Sequence, residues 1–96
     1  MKHILGIDVA KAKLDCALRL PGGKLRHKVV ENSPSGFQAL STWLAKQGTG
    51  SVHVCMEATG TYWEAVAEYL AGLEGLDHLV LRRHPADPLV RLDAHG

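Results

Sequence analysis

The stretch His3–Val9, with the sequence HILGIDV, reads as a short and almost wholly apolar β-strand that carries one acid, Asp8. Successive side chains of a strand point to opposite faces, and both faces of this strand carry apolar residues. We therefore expect a central strand of a sheet that is covered on both sides. An aspartate is costly there unless its charge is compensated. Either Asp8 caps a turn or pairs with a lysine, or it is a metal ligand that needs a second carboxylate. Glu57 offers one, at the end of a second apolar strand over residues 52–56.

Length and composition indicate one small domain of 96 residues with a net charge of +1. No apolar run approaches the roughly 20 residues of a membrane helix, and the start MKHILGID lacks the features of a signal peptide, so we expect a cytoplasmic protein without a membrane partner. Cys16 and Cys55 lie among apolar neighbours in predicted strands and are expected to be reduced and buried. Six histidines are present, but none has the local spacing of a zinc site. His53 is expected to be a core residue.

The periodicity along the chain predicts the element order β-β-β-α-β-α-β. Two strands over residues 13–20 and 24–31 follow the first as an antiparallel meander, and the basic third strand is expected at a sheet edge. A helix begins at Asn32-Ser33-Pro34 and stops near Gly48. After the strand at 52–56, Thr61 and Glu64 match the capping box of a second helix, and residues 77–81 form a fifth strand. Residues 1–82 therefore make up the domain, and residues 83–96 are expected to be a poorly ordered tail.

This order, a meander first and crossovers after it, is the ribonuclease H-like arrangement of a mixed α/β sheet. Its first and fourth strands lie side by side, so Asp8 and Glu57 are expected to converge on one point. Two facing carboxylates repel, and one takes up a proton unless a cation lies between them. Mg²⁺ suits such a pair because it prefers oxygen ligands and completes its shell with water and phosphate.

Three sequence blocks carry a family resemblance: GIDVAK at residues 6–11 with LDCA at 14–17, NSPSGF at 32–37, and CMEATGTY at 55–62. In this order and spacing they resemble the amino-terminal, RuvC-like domain of the IS110/IS1111-type DEDD transposases. The resemblance covers about residues 3–72, and its Glu-Ala-Thr-Gly block is the most specific part.

The resemblance implies an enzyme of bacteria or archaea that moves an insertion sequence by Mg²⁺-dependent DNA strand cleavage and exchange. It also implies four metal-holding acids, a guide RNA, a serine from a separate domain, and association with other transposase subunits. By motif match Asp8 is the first acid and Glu57 the second. The last two acids of the family have no counterpart, because Asp87 and Asp93 do not lie in the family's Thr-Asp-x-x-Asp motif. We therefore expect a truncated or frameshifted fragment, without the final helix, that binds Mg²⁺ weakly and is inactive alone.

Five further residues are candidates for nucleic-acid contacts. Lys11 and Lys13 follow the strand of Asp8 and either meet a phosphate backbone or are solvated lysines in a turn. Thr59 and Gly60 open the second helix, where an anion is favoured, and Tyr62 is expected to be exposed near Glu57.

Two other functional classes remain open at this stage. A fragment of a sugar kinase or actin-like ATPase would share the first strand, but the segment after Asp8 lacks the glycines and hydroxyls of a phosphate loop. A non-catalytic remnant, or a small module that binds nucleic acid or a transposase subunit, is the other alternative.

Overall fold

The computed structural model describes residues 3–48, 51–58, 62–73, 76–82 and 90–92. Six strands and two helices occur within them: β1 (His3–Val9), β2 (Lys13–Arg19), β3 (Leu25–Glu31), α1 (Pro34–Lys46), β4 (Val52–Ala58), α2 (Glu64–Ala71), β5 (Leu76–Arg82) and β6 (Val90–Leu92).

The strands form one mixed sheet in the order β3-β2-β1-β4-β5-β6. The meander β1–β2–β3 is antiparallel, and β4 and β5 are added parallel to β1 through the two helical crossovers. This confirms the predicted ribonuclease H-like order, with the basic strand β3 at an edge. The strand β6, antiparallel to β5, lies within the segment predicted to be a tail and was not expected. The rest of that segment, residues 83–89 and 93–96, lies outside the described residues.

The first helix begins and ends as its sequence predicts. The Ser33 hydroxyl caps it by accepting a hydrogen bond from the Gly36 amide at 3.3 Å, and Pro34 occupies the first turn. Gly48, with φ of +70°, lies just beyond its end, in a conformation that costs glycine little. The helix buries Phe37 and Leu40 against the sheet.

The second helix begins later than predicted. Its N-cap is Trp63, which makes no side-chain capping bond, and the Trp63 carbonyl accepts the first helical hydrogen bond from Ala67 at 2.9 Å. The predicted capping box of Thr61 and Glu64 is therefore wrong, because the helical turn starts two residues later than that motif requires. Thr61 itself lies outside the described residues.

The core lies on one face of the sheet. The buried residues of β1 are Leu5, Ile7 and Val9, and they form one cluster with the apolar stripes of α1 and α2. On the opposite face Ile4 is 45% exposed, and Asp8 is exposed as well. The prediction that β1 is covered on both sides is wrong, because both helices pack on the same side.

This one-sided packing corrects two further predictions. Cys16 is buried under the helices, but Cys55 is exposed on the uncovered face, although both cysteines are free as expected. His53 shares that face with Cys55 and is half-buried rather than a core residue. We call this uncovered side of β1, β2, β3 and β4 the open face.

Candidate metal centre

Asp8 and Glu57 are register partners on the parallel neighbours β1 and β4. Register partners on adjacent strands project to the same side of a sheet, and both residues are exposed there. The expected placement of the two acids on one face of neighbouring strands is therefore confirmed. Their role as metal ligands stays a prediction.

A third carboxylate continues the same row. Asp15 on β2 is the antiparallel register partner of Asp8, so the row across the open face reads Asp15, Asp8, Glu57. The Lys13 ammonium lies 3.9 Å from the Asp15 carboxylate. Asp15 has no role predicted from the sequence. The signal that could have found it is the three-residue connection after Val9, which fixes the hairpin register and places Asp15 opposite Asp8.

Small residues lie beside this acidic row. Ala17 on β2, Gly6 on β1 and Cys55 on β4 are register partners in a row across the three strands. Together with the three acids they line a shallow open depression. A Cβ placed on Gly6 would find no atom nearer than the Ala17 carbonyl oxygen at 3.9 Å. The space next to Asp8 and Glu57 is therefore open to solvent and to a ligand.

The donor set fits a hard divalent cation. Carboxylate oxygens are the ligands that Mg²⁺ prefers, and Mg²⁺ usually keeps several waters beside one or two carboxylates. Within the described part of the chain, no group of three or more histidine, cysteine, aspartate or glutamate side chains is arranged to hold a metal ion. Asp8 and Glu57 are therefore two candidate ligands that do not by themselves make a complete metal site within the described residues.

The structure describes three of the five residues that are predicted to contact nucleic acid. Lys11 and Lys13 are exposed at the end of the sheet where Asp8 lies, and Tyr62 is 46% exposed, as expected. Thr59 and Gly60 lie outside the described residues.

Comparison with known proteins identifies the family. The family model of the IS110 DEDD transposases, described as a transposase, matches residues 5–86. The chain belongs to the IS110-type DEDD transposase family. The match confirms the predicted family, and it continues past residue 72, where the resemblance seen in the sequence was expected to end.

Two curated relatives align with this transposase-family chain over 70 residues. The pilin gene-inverting protein of Moraxella bovis is 33% identical to it, over 71% of this chain and 21% of the relative. The pilin gene-inverting protein of Moraxella lacunata is 31% identical over the same shares. The aligned part thus spans about a fifth of the length of these relatives. None of the helices within the described residues has the length and apolar character to cross a membrane.

Proposed function

We propose that this domain contributes the first two acids, Asp8 and Glu57, of a Mg²⁺-dependent centre for DNA strand cleavage and exchange. The observation that carries the proposal is their register pairing on the open face of the sheet. A kinase or ATPase reading has no comparable support, because the family model that matches is that of a transposase.

The Asp8 and Glu57 carboxylates repel each other in the absence of a cation, because adjacent strands hold their like charges close together. When bound, Mg²⁺ supplies a positive charge that activates an attacking hydroxyl and stabilises the leaving oxygen in phosphodiester chemistry. Asp8 and Glu57 hold the ion from the sheet, and the open depression beside Gly6 leaves room for a phosphate to approach.

The relatives support DNA as the proposed substrate. Their name states that they invert a pilin gene, and inverting a gene breaks and rejoins DNA strands. We propose DNA as the substrate of this chain as well. By family resemblance, a guide RNA and further transposase subunits would be partners of the complete protein. Asp8 and Glu57 are the two family acids that the motif match assigns here, and we expect two carboxylates alone to hold Mg²⁺ weakly.

Calorimetric titration with Mg²⁺ and with Mn²⁺ tests the proposal. The unmodified chain should give a binding isotherm, and Asp8→Asn and Glu57→Gln should each remove it, because one remaining carboxylate holds too little charge. Glu68→Gln is the matched control: Glu68 is an exposed acid on α2, and its loss should leave the isotherm unchanged.

A second candidate is a non-catalytic module that binds nucleic acid. Heat that is identical for the unmodified chain and Asp8→Asn would contradict the metal centre. Salt-dependent DNA or RNA binding with no metal isotherm would support the module instead.

A further inference from the structure

Asn32 joins the segments that follow the two acids. Its side-chain amide nitrogen, Nδ2, donates one hydrogen bond to the Ala10 carbonyl oxygen at 2.8 Å and one to the Tyr62 carbonyl oxygen at 3.0 Å. Ala10 lies just beyond the end of β1, which carries Asp8, and Tyr62 lies between β4, which carries Glu57, and α2. One side chain thus bridges two connections that are distant in the sequence.

The chemistry of this bridge suits a side-chain carboxamide. Both partners are carbonyl oxygens, and a carboxamide NH₂ group presents two N–H donors, so each donor has its own acceptor. The backbone amide of Asn32 also donates to the Ala12 carbonyl oxygen at 3.0 Å. Asn32 therefore fixes the β1–β2 connection at both Ala10 and Ala12 and ties it to Tyr62.

We propose that Asn32 is a positioning residue that holds the Asp8 and Glu57 ends of β1 and β4 together for metal binding. The inference rests on the proposed function of the two acids. Asp8 is second from the end of β1 and Glu57 is second from the end of β4, and their side chains lie on the uncovered face. Packing therefore restrains these strand ends from one side only, and the Asn32 bridge adds a restraint beyond them.

A purely structural role for Asn32 predicts a different outcome, because it would change stability without changing metal affinity once the chain is folded. Ser41 provides the matched control. Its hydroxyl lies 3.2 Å from the Tyr69 hydroxyl, so Ser41→Ala also removes a side-chain link between two segments, but this link joins α1 to α2 and lies away from the acids.

The test measures Mn²⁺ affinity by calorimetry at a temperature where circular dichroism shows every variant folded. Asn32→Ala removes both donors, and the isosteric Asn32→Asp turns them into acceptors that face two carbonyl oxygens. We expect each to weaken Mn²⁺ binding by about tenfold, the lower end of what groups behind metal ligands contribute. Ser41→Ala should bind Mn²⁺ as the unmodified chain does.

A second measurement needs no substitution at Asn32. Because coupling between two sites is reciprocal, Mg²⁺ bound by the acids should slow the solvent exchange of the Asn32 side-chain amide protons, as followed by NMR. The same addition to Asp8→Asn should leave their exchange unchanged.

The outcomes separate the two proposals. If the unmodified chain binds the metal, and either the Asn32 variants bind Mn²⁺ as Ser41→Ala does or Mg²⁺ leaves the amide exchange unchanged, Asn32 does not position the acids and the metal centre stands. If the unmodified chain and Asp8→Asn give the same heat with Mn²⁺, the metal centre and the role of Asn32 are both overturned.

Discussion

Asp8 and Glu57 are direct register partners, although a hairpin, an edge strand and a helix separate them in the chain. The parallel return of β4 beside β1 brings them together, and the placement of both helices on the other side of the sheet leaves them exposed. The pair is therefore a product of the topology, and each acid occupies a position where solvent and a phosphate can reach it.

The acidic row should reduce the stability of the metal-free chain. Asp8 faces Asp15 on one side and Glu57 on the other, and like charges directly across strands are destabilising. We expect Asp8→Asn to raise the free energy of unfolding by about 0.5–1 kcal/mol at low salt, measured by urea denaturation. The gain should shrink at high salt because exposed charges are screened. A loss of stability at low salt would contradict the account.

The start of α1 should tolerate no side chain at Gly36. A Cβ there would collide with the backbone of Glu31 on β3, and neither backbone can move without disturbing the helix or the sheet edge. We expect Gly36→Ala to lower the free energy of unfolding by about 1–3 kcal/mol, measured by urea denaturation.

Gly72→Ala is the control for this substitution. The added Cβ would lie 3.6 Å from the Tyr69 carbonyl oxygen, an ordinary contact, and Gly72 has a φ of −89° that alanine adopts freely. This variant should be unchanged or more stable by about 0.4–1 kcal/mol. Equal losses for the two variants would show that the close approach at Gly36 is not the cause.

The two cysteines should differ in reactivity. Burial, with a smaller contribution from the Asp15 charge, raises the pKa of the Cys16 thiol from 9.0 to about 12, whereas Cys55 is exposed. Because the thiolate is the reactive form, a thiol reagent should label one cysteine in the native chain and two after unfolding. Rapid labelling of both native thiols would contradict the burial of Cys16.

The raised pKa of Cys16 also makes the free energy of unfolding fall as the pH rises. Above pH 9 the Cys16 thiol ionises in the unfolded chain but stays protonated in the folded one, so the unfolded state is favoured. The contribution of Cys16 to stability is complete below pH 9 and is lost as the pH rises toward 12. Cys16→Ala should abolish this part of the alkaline destabilisation, as measured by urea unfolding across that range.

Lys11 and Lys13 should contribute to nucleic-acid binding. Each phosphate contact that is removed should reduce the slope of log affinity against log salt by about one. We expect the double variant Lys11→Ala, Lys13→Ala to bind DNA more weakly and with a shallower salt slope in gel-shift titrations. Lys46→Ala, in the last turn of α1, removes a lysine away from the acids and should change neither quantity.

Much of the fold could be predicted because local signals agree with the final structure. The alternation in β2, the Ser33-Pro34 helix start and the position of Glu57 each specify an element or an end of one. Their order then determines that β1 and β4 are neighbours.

The remaining features depend on tertiary packing. Residues such as Ile4 and Cys55 are typical of a sheet face that is covered by helices. Whether that face is covered depends on the side of the sheet on which the two helical crossovers pass. The N-cap of α2 at Trp63, two residues after the predicted Thr61, likewise is not specified by the local capping motif. The place of Asp15 beside Asp8 was not predicted, because it follows from the register of the β1–β2 hairpin. The pattern of apolar and polar residues along one strand does not reveal that register.

The most direct test of the central claim locates a bound Mn²⁺ by its paramagnetic broadening of backbone amide signals in NMR spectra. We expect broadening to be strongest at Asp8, Glu57 and their neighbours on the open face, to be weak at Leu40 of α1 and Leu70 of α2, which pack on the other face, and to disappear in Asp8→Asn. Broadening that centres on His3 or His27, or that persists in Asp8→Asn, would contradict a metal centre built on these two acids.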